Sequence, residues 1–380
     1  MAGKPTAEGS VQVEKVAIIG LDCGDPTLVF ERWHDELPNL RRLCNTGLWG
    51  RLESCIPPIT VPGWSCMASG RDPGALGVYG FRARRDWSYD SSGLATNLDV
   101  HEPRLWDYLT QDGRPSITVG VPQTFPITHP PLGCQVTCFL TPSTESRYTH
   151  PPELADEITR VGGPFLLDVE GFRSPDKGPL LKQLHHMAEQ RFRVSRHLLT
   201  TRPWDLFWMI ELGVDRLQHG FWHFMDPQHR RYQPGNPFEH AIHDYYVMID
   251  QQIGELLGLL DLERTAVWVV SDHGAKRLDG AFCVNDWRIR AGLLVMKTPP
   301  AGVQRFDPAN VDWSRTKVWG DGGYHGALYI NKAGREPQGI VRASEYDGLR
   351  DELSAKLAAL PDHRGELLGI QRPAFRIGIE

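Results

Sequence analysis

The chain has 380 residues, with 47 acidic and 41 basic side chains and a formal net charge of -6. That length suits one large α/β domain or a domain carrying an inserted lobe, and without an excess of Lys and Arg there is no footprint for duplex nucleic acid. No apolar run approaches the roughly 20 residues of a membrane span, and the polar start MAGKPTAEGS has no apolar signal core, so a cytoplasmic protein without a membrane partner is expected. The seven cysteines form no CxxC pair and read as reduced core residues.

Residues 1–14 read as a flexible tail, and 15–380 as a single domain. The run KVAIIGL, residues 15–21, predicts a buried strand ending in Asp22. Leu37, Leu40 and Leu43 follow at helical spacing, with Gly47 as a stop signal. Residues 48–54 predict a short strand. Pro57 and Pro58 then exclude strand interior, while Pro62 suits the first turn of a helix running to about Ser69 and closed by Gly70. Thr60 therefore stands at a helix mouth, where free N–H groups and the dipole favour an anion. Within 82–201 the pattern is less regular, and an inserted lobe is expected there. It contains a core strand over 116–121 and a long amphipathic helix over 178–201.

A third buried strand is predicted over 205–212. It is followed by Asp215 and His219, which point from one face if the chain turns helical. A helix over 238–260 leads to TAVWVV, a run that reads as a strand buried on both faces and stops at Asp272-His273-Gly274. Asp-His-Gly alone is as consistent with an ordinary turn. Residues 319–331 form a Gly-rich loop carrying His325, then an apolar strand. The last helix, near 345–360, sets Leu349, Leu353, Leu357 and Leu360 on one side.

Several strands thus end in ligand-type residues: Asp22, Asp215, His219, Asp272, His273 and His325, with Thr60 at a helix mouth. In open parallel sheets such residues gather outside the carboxyl ends of the strands. Three carboxylates and three imidazoles suit two borderline transition ions better than Ca²⁺ or Mg²⁺, which prefer oxygen shells. Zn²⁺ is the expected ion and Mn²⁺ the alternative. A hydroxyl between two such ions is what phosphoryl transfer needs.

These motifs resemble the alkaline phosphatase superfamily, on the side of the type I phosphodiesterases/nucleotide pyrophosphatases and the predicted phosphohydrolase/phosphomutase family near them. The resemblance is carried by Asp22 in GLDCGD, Thr60 in PITVPGW, Asp215 and His219 in VDRLQHGFWHFMDP, and Asp272-His273 in SDHG. It implies a three-layer α/β/α sandwich with a largely parallel central sheet and an inserted lobe. It also implies one metal ion on Asp215, His219 and a third histidine, and a second ion on Asp22, Asp272 and His273. Thr60 would form a phosphothreonine-like intermediate with a small-molecule phosphate ester. A phosphodiester or pyrophosphate is the first expectation; a monoesterase, a phosphomutase and a non-catalytic phospho-ligand binder are the alternatives.

The chain departs from the pattern in three places. Gly63 stands where the pyrophosphatases are expected to carry an asparagine that helps hold the phosphoryl oxygens. Leu76-Gly77 replaces a histidine before glycine in the loop after the nucleophile helix. His325-Gly326 is the one context left for the third histidine, with His223 as its rival. Arg82, Arg84 and Lys276 are candidate substrate contacts beside Gly63. Asp25 reads as a turn or cap residue, and His240 and His243 as structural.

Overall fold

The computed structural model of the protein describes residues 13–320, 325–362 and 364–367. Most of the tail expected over 1–14 therefore lies outside the described residues. The chain divides into two compact units: Met1–Phe81 with Ala95–Asp279, and Arg82–Leu94 with Gly280–Glu380.

The strands are β1 (Lys15–Leu21), β2 (Arg82–Arg84), β3 (Ser92–Leu94), β4 (Ser116–Val119), β5 (Gly133–Val136), β6 (Thr149–His150), β7 (Leu206–Glu211), β8 (Thr265–Val270), β9 (Val318–Trp319) and β10 (Tyr329–Ile330). The helices are α1 (Pro38–Thr46), α2 (Thr60–Ser69), α3 (Pro73–Leu76), α4 (Leu105–Gln111), α5 (Leu154–Gly162), α6 (Lys177–Thr201), α7 (Gly213–Met225), α8 (Ala241–Leu257), α9 (Val284–Arg290) and α10 (Ala343–Ala358).

In the first unit a six-stranded sheet runs in the order β6-β5-β4-β7-β1-β8. All its pairings are parallel except that of β6 with β5. Successive side chains of a strand face opposite sides, and that alternation builds two cores. Phe207 and Met209 of β7 join Ala17 and Ile19 of β1 under α6 and α8, where Leu184, Phe192, Ile249 and Ile253 are buried. Leu206, Trp208 and Ile210 face the other way, onto Trp64 and Ala68 of α2 and Trp106 of α4. Helices thus cover both faces of this sheet, the three-layer α/β/α arrangement. Gly20 lets α2 approach β1: a Cβ there would collide with Ile210 and come within 2.6 Å of the Trp64 ring.

The second unit holds two antiparallel pairs, β2 with β3 and β9 with β10. Val318 and Trp319 of β9 serve opposite cores. Val318 packs with Leu293, Ile330, Val341 and Leu353, and Trp319 with Leu294, Val311 and Trp313. Residues 82–94 are tied to this unit by Tyr89, which stacks on Trp313 at 3.4 Å and bonds Asn331 Oδ1 at 2.8 Å. In α10, Leu353 and Leu357 are buried as the leucine spacing predicts, while Leu360 falls past the helix end.

Two expectations are corrected. Residues 48–54 are not a strand: no ladder forms there, and Leu48, Trp49 and Leu52 are exposed. Apolar content alone makes no strand without an edge to pair with. The run over β8 is not buried on both faces. It ends the sheet order, and Trp268 is 59% exposed, because a continuous apolar run does not distinguish an edge strand from a central one. Of the region expected to hold an inserted lobe, Arg82–Leu94 belongs to the second unit, and the part from Ala95 supplies β4, β5 and β6 to the main sheet.

Candidate active site

The strand order brings the candidate carboxylates together. β7, β1 and β8 are parallel neighbours, so Asp22, Asp215 and Asp272 all follow carboxyl ends on the same edge of the sheet. Asp22 and Asp272 leave their strands directly, whereas Asp215 is carried on α7. That helix is held at its start by Glu211, the last residue of β7, whose buried carboxylate accepts from the N–H groups of Gly213 and Val214 at 3.0 Å each. The Tyr245 hydroxyl donates to the same carboxylate at 3.0 Å. Gly213 is required here, since a Cβ would collide with that hydroxyl.

Thr60 opens α2, and no side chain caps the helix. Its Oγ1 is buried, 3.2 Å from His273 Nε2 and 3.5 Å from Asp22 Oδ1. His273 Nε2 in turn lies 3.4 Å from Asp272 Oδ2 and 3.7 Å from Asp22 Oδ1. The ring's other nitrogen, Nδ1, sits 3.1 Å from the Gly274 carbonyl. A carbonyl can only accept, so Nδ1 carries the proton and Nε2 turns its lone pair toward the carboxylates. Four residues after Thr60, Trp64 Nε1 donates to Asp22 Oδ2 at 3.0 Å.

The donor set fits a divalent cation. Burial, and beyond it repulsion from Asp272 and Asp215, pushes the Asp22 carboxyl well above the usual carboxylate range. Burial and the Asp215 charge also raise Asp272, whose Oδ2 is buried without a hydrogen-bond partner. Burial works on Asp215 in the same sense, but His219 and Arg216 outweigh it and hold this carboxyl below its ordinary value. Asp22, Asp272 and His273 place their donor atoms within 4.8 Å of one another. Such a cluster of buried carboxylates around a bare imidazole nitrogen is what a bound cation would relieve. His219 Nε2, on the next turn of α7, lies 3.3 Å from Asp215 Oδ1.

The remaining predicted residues are spread more widely. Gly63 is buried against Asp272, where a Cβ would stand 2.9 Å from Asp272 Cβ. Lys276 is exposed in the first unit. Arg82 is exposed on β2. Arg84 pairs with Glu336 at 3.2 Å and lies over the rings of Trp87, Trp319 and Tyr329. His325 is exposed and belongs to the second unit. His223 packs on Phe224, with ring centroids 3.9 Å apart. Asp25 caps a turn, accepting from the N–H groups of Thr27 and Leu28 at 3.0 Å. His243 bridges Glu36 and Asp244.

Sequence reading missed three neighbours of this site. Trp64 is one, and its spacing of four from Thr60 on a helix was the available signal. Arg216, next to Asp215, bonds Asp215 Oδ2 at 2.7 Å and takes Asp168 at 2.8 and 3.0 Å. Cys23, next to Asp22, has a backbone φ of 62°, an uncommon conformation for a residue with a side chain.

Two of the solved structures that resemble this fold are of one enzyme. Phosphonoacetate hydrolase from Sinorhizobium meliloti 1021 in complex with phosphonoformate superposes with a TM-score of 0.56 at 18% identity, over 92% of this chain and 73% of that one. The same enzyme in complex with phosphonoacetate gives 0.55 at 16% identity, over 92% and 74%. At such identities the likeness is one of fold. No curated protein is matched by the sequence. The type I phosphodiesterase / nucleotide pyrophosphatase profile matches residues 16–373. The chain therefore belongs to the type I phosphodiesterase / nucleotide pyrophosphatase family, within the alkaline phosphatase superfamily, and is a hydrolase of phosphoric ester bonds.

Proposed function

We propose that the chain cleaves a small-molecule phosphodiester or pyrophosphate through Thr60, with two divalent ions, Zn²⁺ or alternatively Mn²⁺. Asp22, Asp272 and His273 would hold one ion. Asp215 and His219 would hold the other with a third donor, for which the sequence nominates His325. Bound there, the ions would lower the pKa of the hydroxyl and neutralise charge on the leaving oxygen. The observation that carries this reading is the placing of Thr60 Oγ1 between His273 Nε2 and Asp22 Oδ1 at the mouth of α2.

With His273 Nε2 and Asp22 committed to the ion, the Thr60 proton would pass to solvent as its oxygen attacks phosphorus and the ester oxygen departs. Water then cleaves the phosphothreonine and restores the hydroxyl. The open N-terminus of α2 would face the phosphoryl oxygens. Gly63 leaves room beside Asp272, and Lys276, exposed three residues beyond His273, would meet the substrate. Arg82 and Arg84 remain proposed contacts by charge alone. The seven free cysteines accord with a reducing, cytoplasmic setting, and among the described residues no helix is long and apolar enough to cross a membrane.

The test is turnover of a panel of phosphodiesters, pyrophosphates, monoesters and phosphonoacetate with added Zn²⁺ or Mn²⁺. Thr60→Ala should abolish turnover yet keep the metal content and the fold, and Thr60→Ser should keep part of the activity. Near-normal turnover by the alanine variant would mean that water attacks directly, and the threonine route would be abandoned.

A further inference from the structure

After β1 the chain turns sharply through residues 22–25, with Cys23 at a φ of 62°, and side chains from three other elements hold the backbone of that turn. The Cys23 N–H donates to Asp272 Oδ1 at 3.1 Å and the Gly24 N–H to Ser271 Oγ at 2.8 Å, both on the loop after β8. The Asp25 N–H donates to the Tyr246 hydroxyl of α8 at 3.2 Å. The remaining contact runs to α7, where Gln218 Nε2 donates to the Cys23 carbonyl at 2.6 Å. A carbonyl can only accept, so it is the amide nitrogen of Gln218 that faces it. The same nitrogen lies 3.4 Å from the Tyr246 hydroxyl.

Gln218 stands on α7 between Asp215 and His219, while Cys23 follows Asp22 directly. Their hydrogen bond therefore ties the segment proposed to hold one ion to the segment proposed to hold the other. Packing does not account for the amide. Gln218 is buried, 3% exposed, and its Oε1 has no hydrogen-bond partner among the described residues. A buried amide oxygen left unpaired costs stability that an apolar side chain of the same length would not lose. What glutamine supplies here, and methionine would not, is the donor to Cys23.

From this juxtaposition we infer that Gln218 is a positioning residue that sets the spacing of the two ion sites, acting through the Cys23 carbonyl and not as a ligand. The inference rests on the proposal that Asp22 and Asp215 hold separate ions. Two-metal centres for phosphoryl transfer keep their ions about 3.5–4 Å apart, so that one phosphoryl group is clamped between them. A turn after β1 that was free to slide against α7 would still bind both ions, yet it would misalign attack with departure.

Electron paramagnetic resonance of the Mn²⁺-loaded full chain tests it without recourse to activity, because magnetic coupling between two Mn²⁺ ions weakens steeply with distance. The wild type is expected to take up two equivalents of Mn²⁺ and to give the spectrum of a coupled pair. Gln218→Met keeps the length and removes the donor. It should still take up two equivalents, since every proposed ligand remains, but lose the coupling. Tyr246→Phe is the control: it removes a hydrogen bond to the same turn, leaves the one from α7, and should keep the coupling. Should Gln218→Met fail to fold, Gln218→Glu puts an oxygen that cannot donate when ionised in place of the amide nitrogen, and should show the same loss. If neither variant folds, Gln218 is a structural residue and the inference falls. Coupling that survives in folded Gln218→Met, or that Tyr246→Phe loses as fully, overturns it and leaves metal dependence standing. So does a wild type that binds two uncoupled ions. A wild type that takes up fewer than two equivalents overturns the two-ion reading beneath it as well.

Discussion

Trp64 donates its indole N–H to Asp22 Oδ2 at 3.0 Å, so the helix that presents Thr60 is bonded to the carboxylate at the end of β1. That hydrogen bond helps hold the Asp22 carboxyl down against burial and the neighbouring carboxylates. Trp64→Phe keeps most of the packing and removes the donor. A hydrogen bond to a charged group is worth about 1.5–3 kcal/mol. The variant should melt earlier and bind metal more weakly, as read by thermal melts and titration calorimetry. Unchanged metal affinity would reduce the indole to a packing role.

Gly63 concerns shape. A Cβ at this position would come within 2.9 Å of Asp272 Cβ, with the Asp272 carbonyl and Cα close behind. The obstacle is the stem of the residue and its backbone, so it cannot swing aside. Gly63→Ala is expected to cost about 1–3 kcal/mol, the usual range for overpacking, and to displace Asp272. Loss of metal should accompany the loss of stability. A variant that binds metal normally would show that the loop after β8 yields without disturbing the site.

Asp272→Asn should change sign with metal. Asp22 and Asp272 are raised by burial and by neighbouring carboxylates. Such groups contribute stability that is complete below the unfolded pKa of about 3.9 and lost as pH rises through the folded value. The metal-free fold therefore gives up stability at this pair as pH rises. Removing one should raise the melting temperature of the chelated protein. In the zinc-loaded protein the same change removes a ligand and should lower it, since ions bound to the folded state stabilise it by mass action. The gain in the chelated protein should shrink at mildly acidic pH. Melts with and without chelator at both pH values check this, and shifts of one sign throughout would contradict it.

Arg216 acts on Asp215. Its guanidinium bonds Asp215 Oδ2 and Asp168 together, between the rings of Phe139 and Phe172 at 4.9 and 5.0 Å. Taking one partner from a buried pair costs about 3–5 kcal/mol. Arg216→Met should therefore destabilise the fold strongly, and in whatever fraction folds it should make Asp215 a weaker ligand. Asp168→Asn should lower stability less and leave metal affinity nearer normal, because Asp215 keeps its own bond to Arg216. Equal effects of the two changes on metal affinity would place the control of Asp215 with Asp168 instead.

The strands and helices that frame the site were legible because their signals are local. Apolar runs ended at Asp22, near Asp215 and at Asp272, and Pro62 with Gly70 bounded the helix of Thr60. Nearest-neighbour chemistry also marked Asp215 and His219 as one helix face. Other features depended on contacts between distant residues, which no local pattern encodes. The run at β8 reads alike for a central and an edge strand, and only the order β7-β1-β8 decides that it lies at the end and beside Asp22. Residues 82–94 read as part of one irregular region, and the stacking of Tyr89 on Trp313 joins them to the second unit. Cys23 looked like any apolar cysteine in the chain. Its positive φ, and its bonds to Asp272 and Gln218, set its sulfur beside Asp215, because residues 249 and 195 positions away fold back onto it.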